Sequence, residues 1–356
     1  MAQEPRSERL APEFQVKING NAVPLEMRAD LISASVLDDV DAAGMCSVTM
    51  HGWDGVKMEP KWIDDDLFRE GNPIEILMGY ESKVTSLFKG EITALEPAFH
   101  EREPPIFTVR GHDKRHRLIR QRRTRTFMNM KDSEIADRVA SEAGLGSDVE
   151  TTSVKNAYVI QRNQTDFEFL LERAGRIGYE VFVDDKTVHF RSRGIDAKEV
   201  IRLRRDVELL EFLPRLSTMG QVSEVVVRGW DPGGKKEIVA RSQSGRKATT
   251  MGGQTSGSSA VQRSFGDDKS ITVDMPVHTQ EDADDFAKGL FSEMALGYIR
   301  AEGTCVGEPT LRAGKNVQVE GIGRRFSGVY YVTSVVHKYS AKAGYRTEFA
   351  ARRNAS

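Results

Sequence analysis

The chain has 356 residues, with Lys+Arg 51 against Asp+Glu 53 and a formal net charge of -2. This length exceeds one ordinary core and points to two or three domains of roughly 100–150 residues each. With 39% hydrophobic and 29% charged residues, packed domains with a well-wetted surface are expected, and near-neutrality excludes a global pull toward nucleic acid or anionic membrane.

The first twenty residues carry charges throughout and no apolar core of the length a signal peptide needs. No later stretch approaches the ~20 apolar residues of a spanning helix. Cys46 and Cys305 lie far apart and form no ligand cluster. Synthesis and assembly in the cytoplasm are therefore expected, with any exit from the cell made as part of a larger assembly.

Strand alternation opens the chain at Phe14–Ile18, followed by the turn pair Asn19-Gly20. It returns at Ser47–Met50, Ile74–Met78, Glu91–Leu95 and Ile106–Arg110. The period then changes. Residues 131 to 143 place Ile135, Val139 and Ala143 on one helical face, with Asp132 or Ser133 as the cap and Gly144 as the stop. Thr165-Asp166-Phe167-Glu168 fits a capping box, in which hydroxyl and carboxylate satisfy orphan backbone donors. Phe167, Leu170, Leu171, Ala174 and Ile177 form the stripe of the helix that follows, and Gly178 ends it. Tyr179 to Phe190 reads as a hairpin turning at Asp185-Lys186.

Strand pattern reappears from Val222 to Arg228, and Ser242 to Ser259 is rich in Gly, Ser and Thr. That composition buries little, so a long flexible loop is expected over 242–259. A helix is expected over 279–296, burying Ala283, Phe286, Ala287, Leu290, Phe291 and Met294. Strands at Val317–Val319, Val329–Val332 and Tyr345–Phe349 close the chain.

The two strand-rich ends echo one another. Gly71-Asn72-Pro73-Ile74-Glu75-Ile76 matches Gly314-Lys315-Asn316-Val317-Gln318-Val319 in spacing, and Phe88-Lys89-Gly90 and Phe326-Ser327-Gly328 are each expected to open the next strand. Two hairpins share a glycine and alternation by chance often enough, but three features in the same order favour two related barrels.

Searches for chemistry return little. His112 and His116 stand four apart, but in a basic strand exit and not in a zinc-binding helix. Residues 307–316 depart from a phosphate loop in glycine spacing, contain Pro309, and place Asn316 where a Mg²⁺-binding hydroxyl belongs. No nucleophile elbow occurs and neither cysteine sits in a catalytic signature. No catalytic residue, metal site or cofactor is expected, and the chain reads as a non-enzyme. A cell-wall hydrolase built on a carboxylate pair is the alternative from another class. Asp64-Asp65-Asp66 is more simply a solvated turn, and Glu281, Asp282, Asp284 and Asp285 a helix N-terminus. The local charge anomaly is Lys114, Arg115, Arg117, Arg120, Arg122, Arg123 and Arg125. These side chains form a candidate partner or phosphate contact patch, the basis of a third reading as a nucleic-acid-binding module. The run lacks interleaved aromatics, so pairing with acidic neighbours or a partner subunit is the simpler reading and nucleic acid is not an expected partner.

Residues 163–182, NQTDFEFLLERAGRIGYEVF, closely resemble the hallmark of the phage late control protein D family and of the VgrG hub region. The signature positions are Asn163, Thr165, Asp166, Phe167, Phe169, Leu170, Gly178 and Tyr179. Segments 88–118 and 326–351 resemble the closes of that family's two barrels. The resemblance implies an α+β, mainly β fold with two related tube-forming β-barrel domains flanking a small α+β insertion module. The expected division is 1–113, first barrel; 114–200, insertion module; and 201–356, second barrel. It further implies a baseplate hub of a contractile tail or injection system. Such a hub is a homotrimer adapting a six-fold tail tube protein to a three-fold spike, among other baseplate proteins in the tail particle, with no membrane in the resting state. Because the sequence stops soon after the second barrel, the spike is expected on a separate protein.

Overall fold

The computed structural model describes residues 11–81, 83–197, 200–247, 249–266, 268–272 and 276–356. The charged N-terminal stretch through residue 10 and position 248 of the Gly/Ser-rich segment lie outside these residues. The chain divides into two compact units, one of residues 1–116, 304–313 and 334–349, the other of residues 117–303, 314–333 and 350–356. This division interleaves the chain, whereas the expected three-part division is sequential.

The first unit is a large antiparallel ladder. From neighbour to neighbour it runs through residues 344–349, 334–340, Leu31–Asp39, Met45–His51, Ile106–His112, Lys83–Ala98, Pro73–Tyr80, Pro12–Ile18 and Asn21–Ala22. The hydrogen-bonded path is open, so no closed barrel forms among the described residues. Alternation sorts the faces. Val36, Cys46, Val48, Met50, Phe107 and Val109 point into one core, joined by Ile74, Ile76 and Met78. Ser35, Ser47, Thr49 and Thr108 occupy the alternate positions, where Thr49 and Thr108 bond through their hydroxyls at 3.1 Å.

His337 is completely buried in this unit. Its Nε2 lies 3.0 Å from the Leu311 carbonyl oxygen, which can only accept, so Nε2 carries the proton. Nδ1 then accepts from the hydroxyls of Tyr345 at 2.8 Å and Thr347 at 3.2 Å. Burial pushes the imidazole pKa down to about 4, with nearby Arg312 adding to the shift.

The second unit holds three packed pieces. A ribbon of Arg122–Lys131 and Lys155–Thr165, the helices Asp132–Glu142 and Asp166–Arg176, and a three-stranded sheet share one core around Phe127, Ile135, Phe169, Leu170 and Val181. In that sheet Thr187–Ser192 pairs antiparallel with Tyr179–Asp184 and parallel with Gly146–Val149. Glu224–Asp231 pairs with Lys236–Ser242 and Lys269–Thr272, and the helix Gln280–Leu296 covers this sheet through Ala283, Phe286, Ala287 and Phe291. Thr279 caps that helix by accepting the Asp282 N–H. Finally, Val200–Arg204 runs parallel to Asn316–Glu320, which pairs antiparallel with the start of Gly328–Ser340.

The first-turn capping of Asp132–Glu142 differs from expectation. Lys131 is the N-cap, its N–H bonding Glu134 at 2.8 Å, because Asp132 is engaged by Arg173 and Ser133 by Thr152. The Gly/Ser-rich stretch also contains more order than its composition implied. Met251 is buried, Gln254 and Thr255 donate to the Ser356 carbonyl, and a helix Gly257–Phe265 starts under a Ser256 cap.

The turn glycines of the echo adopt the left-handed region, Gly71 at φ 88° and Gly314 at φ 77°. They anchor the same hydrogen-bond pattern. Gly71 N–H donates to Ile92 and Ile92 N–H to Asn72; Gly314 N–H donates to Val332 and Val332 N–H to Lys315. The Phe-x-Gly part of the echo is out of step. Phe88 lies inside Lys83–Ala98 and does not open it, whereas Gly328 begins its strand. Equating Ile92 with Val332 sets Phe88, not Gly90, against Gly328. The third strand also differs, antiparallel to Pro73–Tyr80 but parallel to Asn316–Glu320.

Ile74 and Val317 are buried at 2% and 0% exposure. An aspartate at either position leaves an uncompensated buried charge and should cost about 3–5 kcal/mol, read as a lowered urea midpoint or loss of soluble protein. For His337, the unfolded chain takes up its proton near the ordinary value of about 6.5, before the folded state does. Stability from this site is thus complete above that pH and is lost as pH falls toward 4, by up to roughly 3 kcal/mol. His337→Gln should flatten the pH dependence of the urea midpoint across this window.

Candidate functional site

The signature segment runs from the end of the ribbon strand Lys155–Thr165 through the helix Asp166–Arg176 into the strand Tyr179–Asp184. Asn163 takes φ 48°, a left-handed conformation that asparagine tolerates, at the irregular end of the ribbon. Its N–H bonds the Thr124 hydroxyl at 3.1 Å and its carbonyl accepts from Arg122 at 2.6 Å. Thr165 then completes the capping box: its hydroxyl accepts the Glu168 N–H at 3.1 Å and Glu168 accepts the Thr165 N–H at 2.9 Å. Phe167, Phe169 and Leu170 enter the core, with Phe169 stacked on Phe127 at 5.5 Å between ring centres. Gly178 ends the helix at φ 69°. Tyr179 packs on Phe190 and bonds Glu150 at 3.2 Å.

Asp166 is the electrostatic centre. It is buried, yet its carboxylate accepts from Arg125 Nη2 at 2.6 Å and Gln161 Nε2 at 2.9 Å, with Arg123 at 3.6 Å. It also sits in the first turn of its helix, where the macrodipole favours negative charge. Arg125 further bonds Gln161 at 2.7 Å and pairs with Glu142, while its guanidinium lies over the Phe127 ring.

The structure places the basic residues in two environments. In the first unit, Arg115 is buried and donates to Asp113 at 2.8 Å and to the Asp39 carbonyl at 2.6 Å. Lys114 stands just before it; Arg117 and Arg120 are exposed in the second unit. There Arg122 pairs with Glu168, and Arg123 and Arg125 with Glu142 and Asp166. Arg115, Arg122, Arg123 and Arg125 are therefore committed to partners inside the chain. The histidine pair is likewise separated by function: His112 meets Thr93 and His116 meets Glu91, each at 2.7 Å. Among the described residues no three His, Cys, Asp or Glu side chains gather as metal ligands, and no helix is long and apolar enough to cross a membrane.

Two contacts escaped the sequence reading. Arg176, at the end of the signature helix, is buried and donates to both Asp282 oxygens at 3.1 and 3.2 Å while lying over Phe286. Gly289 permits the approach: a Cβ there would stand 2.3 Å from the Arg176 carbonyl oxygen. The signal was an isolated glycine inside a helical stripe. Glu180 is the second. Burial pushes its pKa up, and it accepts from Tyr331 and from Arg191 at 3.1 Å. No local pattern announces that partnership.

The same fold occurs in solved tail proteins. The chain superposes on a 43 kDa tail protein of prophage MuSo2 from Shewanella oneidensis with TM-score 0.71 and 16% identity, covering 96% of this chain and 98% of that one. A tail protein from Neisseria meningitidis MC58 gives 0.69 and 12%, with 96% and 97% covered. An E. coli component of the type VI secretion system, described as structurally similar to T4 bacteriophage tail proteins, gives 0.62 and 11%, with 96% and 77% covered. By sequence, the chain belongs to the family described as Alg8 N-terminal domain, whose model matches residues 9–341. That description names neither a tail role nor late control protein D. No curated protein matches the chain.

Thr165→Ala should lower stability by about 1 kcal/mol through loss of the cap, and Thr165→Ser should restore it. Gly289→Ala separates propensity from packing: propensity alone predicts a gain of about 1 kcal/mol, whereas the contact with the Arg176 carbonyl predicts a lowered urea midpoint.

Proposed function

We propose that this chain is a structural baseplate hub of a contractile tail or injection system, acting mechanically and without catalysis. The observation that carries this reading is the likeness over 96% of the chain to two tail proteins and a type VI secretion component. In the proposed arrangement three copies present six similar tube-forming domains, adapting a six-fold tail tube to a three-fold spike. The repeated hydrogen-bond pattern at Gly71 and Gly314 supports two related elements per chain. The serine- and threonine-bearing sheet positions of the first unit suit a water-filled bore. The internal pairing of Arg115, Arg122, Arg123 and Arg125 argues for structure and against phosphate gripping in the basic run.

Sedimentation of the purified chain with its tube and spike partners should give a three-copy complex, and a chain that stays monomeric with both present overturns the hub reading. Deleting its gene from a producing cell should abolish complete particles in electron micrographs. Clearing of peptidoglycan by the purified protein would establish the hydrolase reading instead.

A further inference from the structure

We propose that the hairpin tip of residues 53–60 on one copy docks on the outer face of the ribbon Arg122–Lys131 and Lys155–Thr165 of the next copy, a head-to-tail contact between subunits. This inference rests on the self-associating hub reading.

The ribbon has one face too many. Phe127, Val159 and Gln161 point inward, and alternation turns their neighbours outward. Met128 and Tyr158 stand directly opposite one another at 58% and 52% exposure, with Ile160 at 44% beside them. A soluble sheet normally places polar residues on such a face, so a contiguous apolar cluster marks a contact surface. The charges around it share one sign. The two strands carry six Arg and Lys and no Asp or Glu. Arg122, Arg123 and Arg125 are neutralised from within. Lys131, Lys155 and Arg162 make no ion pair among the described residues. Lys131 and Lys155 even face each other across the ladder, a like-charge pairing that costs stability unless an acid approaches.

Residues 53–70 of the same chain have the complementary character. They contain six acidic against three basic side chains, and each base is already paired: Lys57 with Glu59, Lys61 with Asp30, and Arg69 with Asp66. The tip of the hairpin formed by Trp53–Asp54 and Glu59–Pro60 exposes Val56 at 94% and Met58 at 69%. The tip is fixed in shape, since the Asp54 carboxylate accepts the N–H groups of Val56 and Lys57 at 2.9 and 3.0 Å. Met58 holds φ 57°, where glycine or asparagine is favoured and a side chain is strained. A bulky apolar side chain kept in that conformation and in water is explained when it fills a partner's surface. Two apolar anchors in an acidic surround thus match an apolar cluster in a basic surround. A second ribbon does not, because like charges would meet. Unlike patches on one chain generate head-to-tail contacts, which close into a ring when the rotation permits.

A Val56→Cys/Tyr158→Cys double variant tests the contact, with Cys46 and Cys305 both buried. Under mild oxidation it should form covalent multimers up to the closed ring on a non-reducing gel, and neither single variant should. Met58→Lys, which sets a like charge against Lys155 and Arg162, should increase the dissociated fraction at least tenfold in sedimentation, with an unchanged circular dichroism spectrum. Combining Met58→Lys with Lys155→Glu and Arg162→Glu should restore association. A three-copy assembly whose double-cysteine variant runs as a monomer overturns this contact while leaving the hub reading intact. A wild-type chain that remains monomeric with its tube and spike partners overturns both.

Discussion

The architecture of the second unit hangs on a buried carboxylate that cannot go unpaired. Asp166 lies out of water at the start of a helix, and burying its charge is tolerable only because Arg125, Gln161 and the helix N-terminus converge on it. That requirement ties the ribbon to the helix. It also draws the basic run toward Glu142, Asp166 and Glu168 and turns the opposite face of the ribbon outward. The same logic repeats at the other end of the helix, where Arg176 enters the structure only with both oxygens of Asp282.

Paired buried charges of this kind recur through the second unit. Charge networks of this kind lose heavily if one partner is displaced, so they resist sliding between elements more than apolar packing alone does. Arg173 with Asp132, Arg191 with Glu180, and Glu293 with Arg193 and Arg352 extend the pattern through the unit. The first unit reaches rigidity differently, through a long ladder with an apolar face and one buried, neutral histidine.

Local signals in the sequence were read well where they were self-contained. The capping box at Thr165 and Glu168, the turn at Asp185-Lys186 and the left-handed glycines at 71 and 314 each need only a few adjacent residues to declare themselves. The Phe-x-Gly comparison failed because pairing register, which the two hairpins do not share, decides what such a string means. The cap assigned to Asp132 or Ser133 failed for a related reason. Arg173 and Thr152, distant in sequence, claimed those side chains first.

The sequence by itself determined where the helices Asp166–Arg176 and Gln280–Leu296 begin and end, which strand faces turn inward, and the signature by which the chain resembles hub proteins. Those properties follow from short-range backbone chemistry and from periodicity. Only the tertiary structure decided the partners of the basic run, because an arginine looks alike in sequence whether it meets solvent, phosphate or a buried aspartate. It also decided that the sheet of the first unit stays open among the described residues, since closure depends on register summed over many strands. The exposed face of Met128, Tyr158 and Ile160 became visible in the same way: alternation gives a strand two faces, and only packing shows which one is left uncovered.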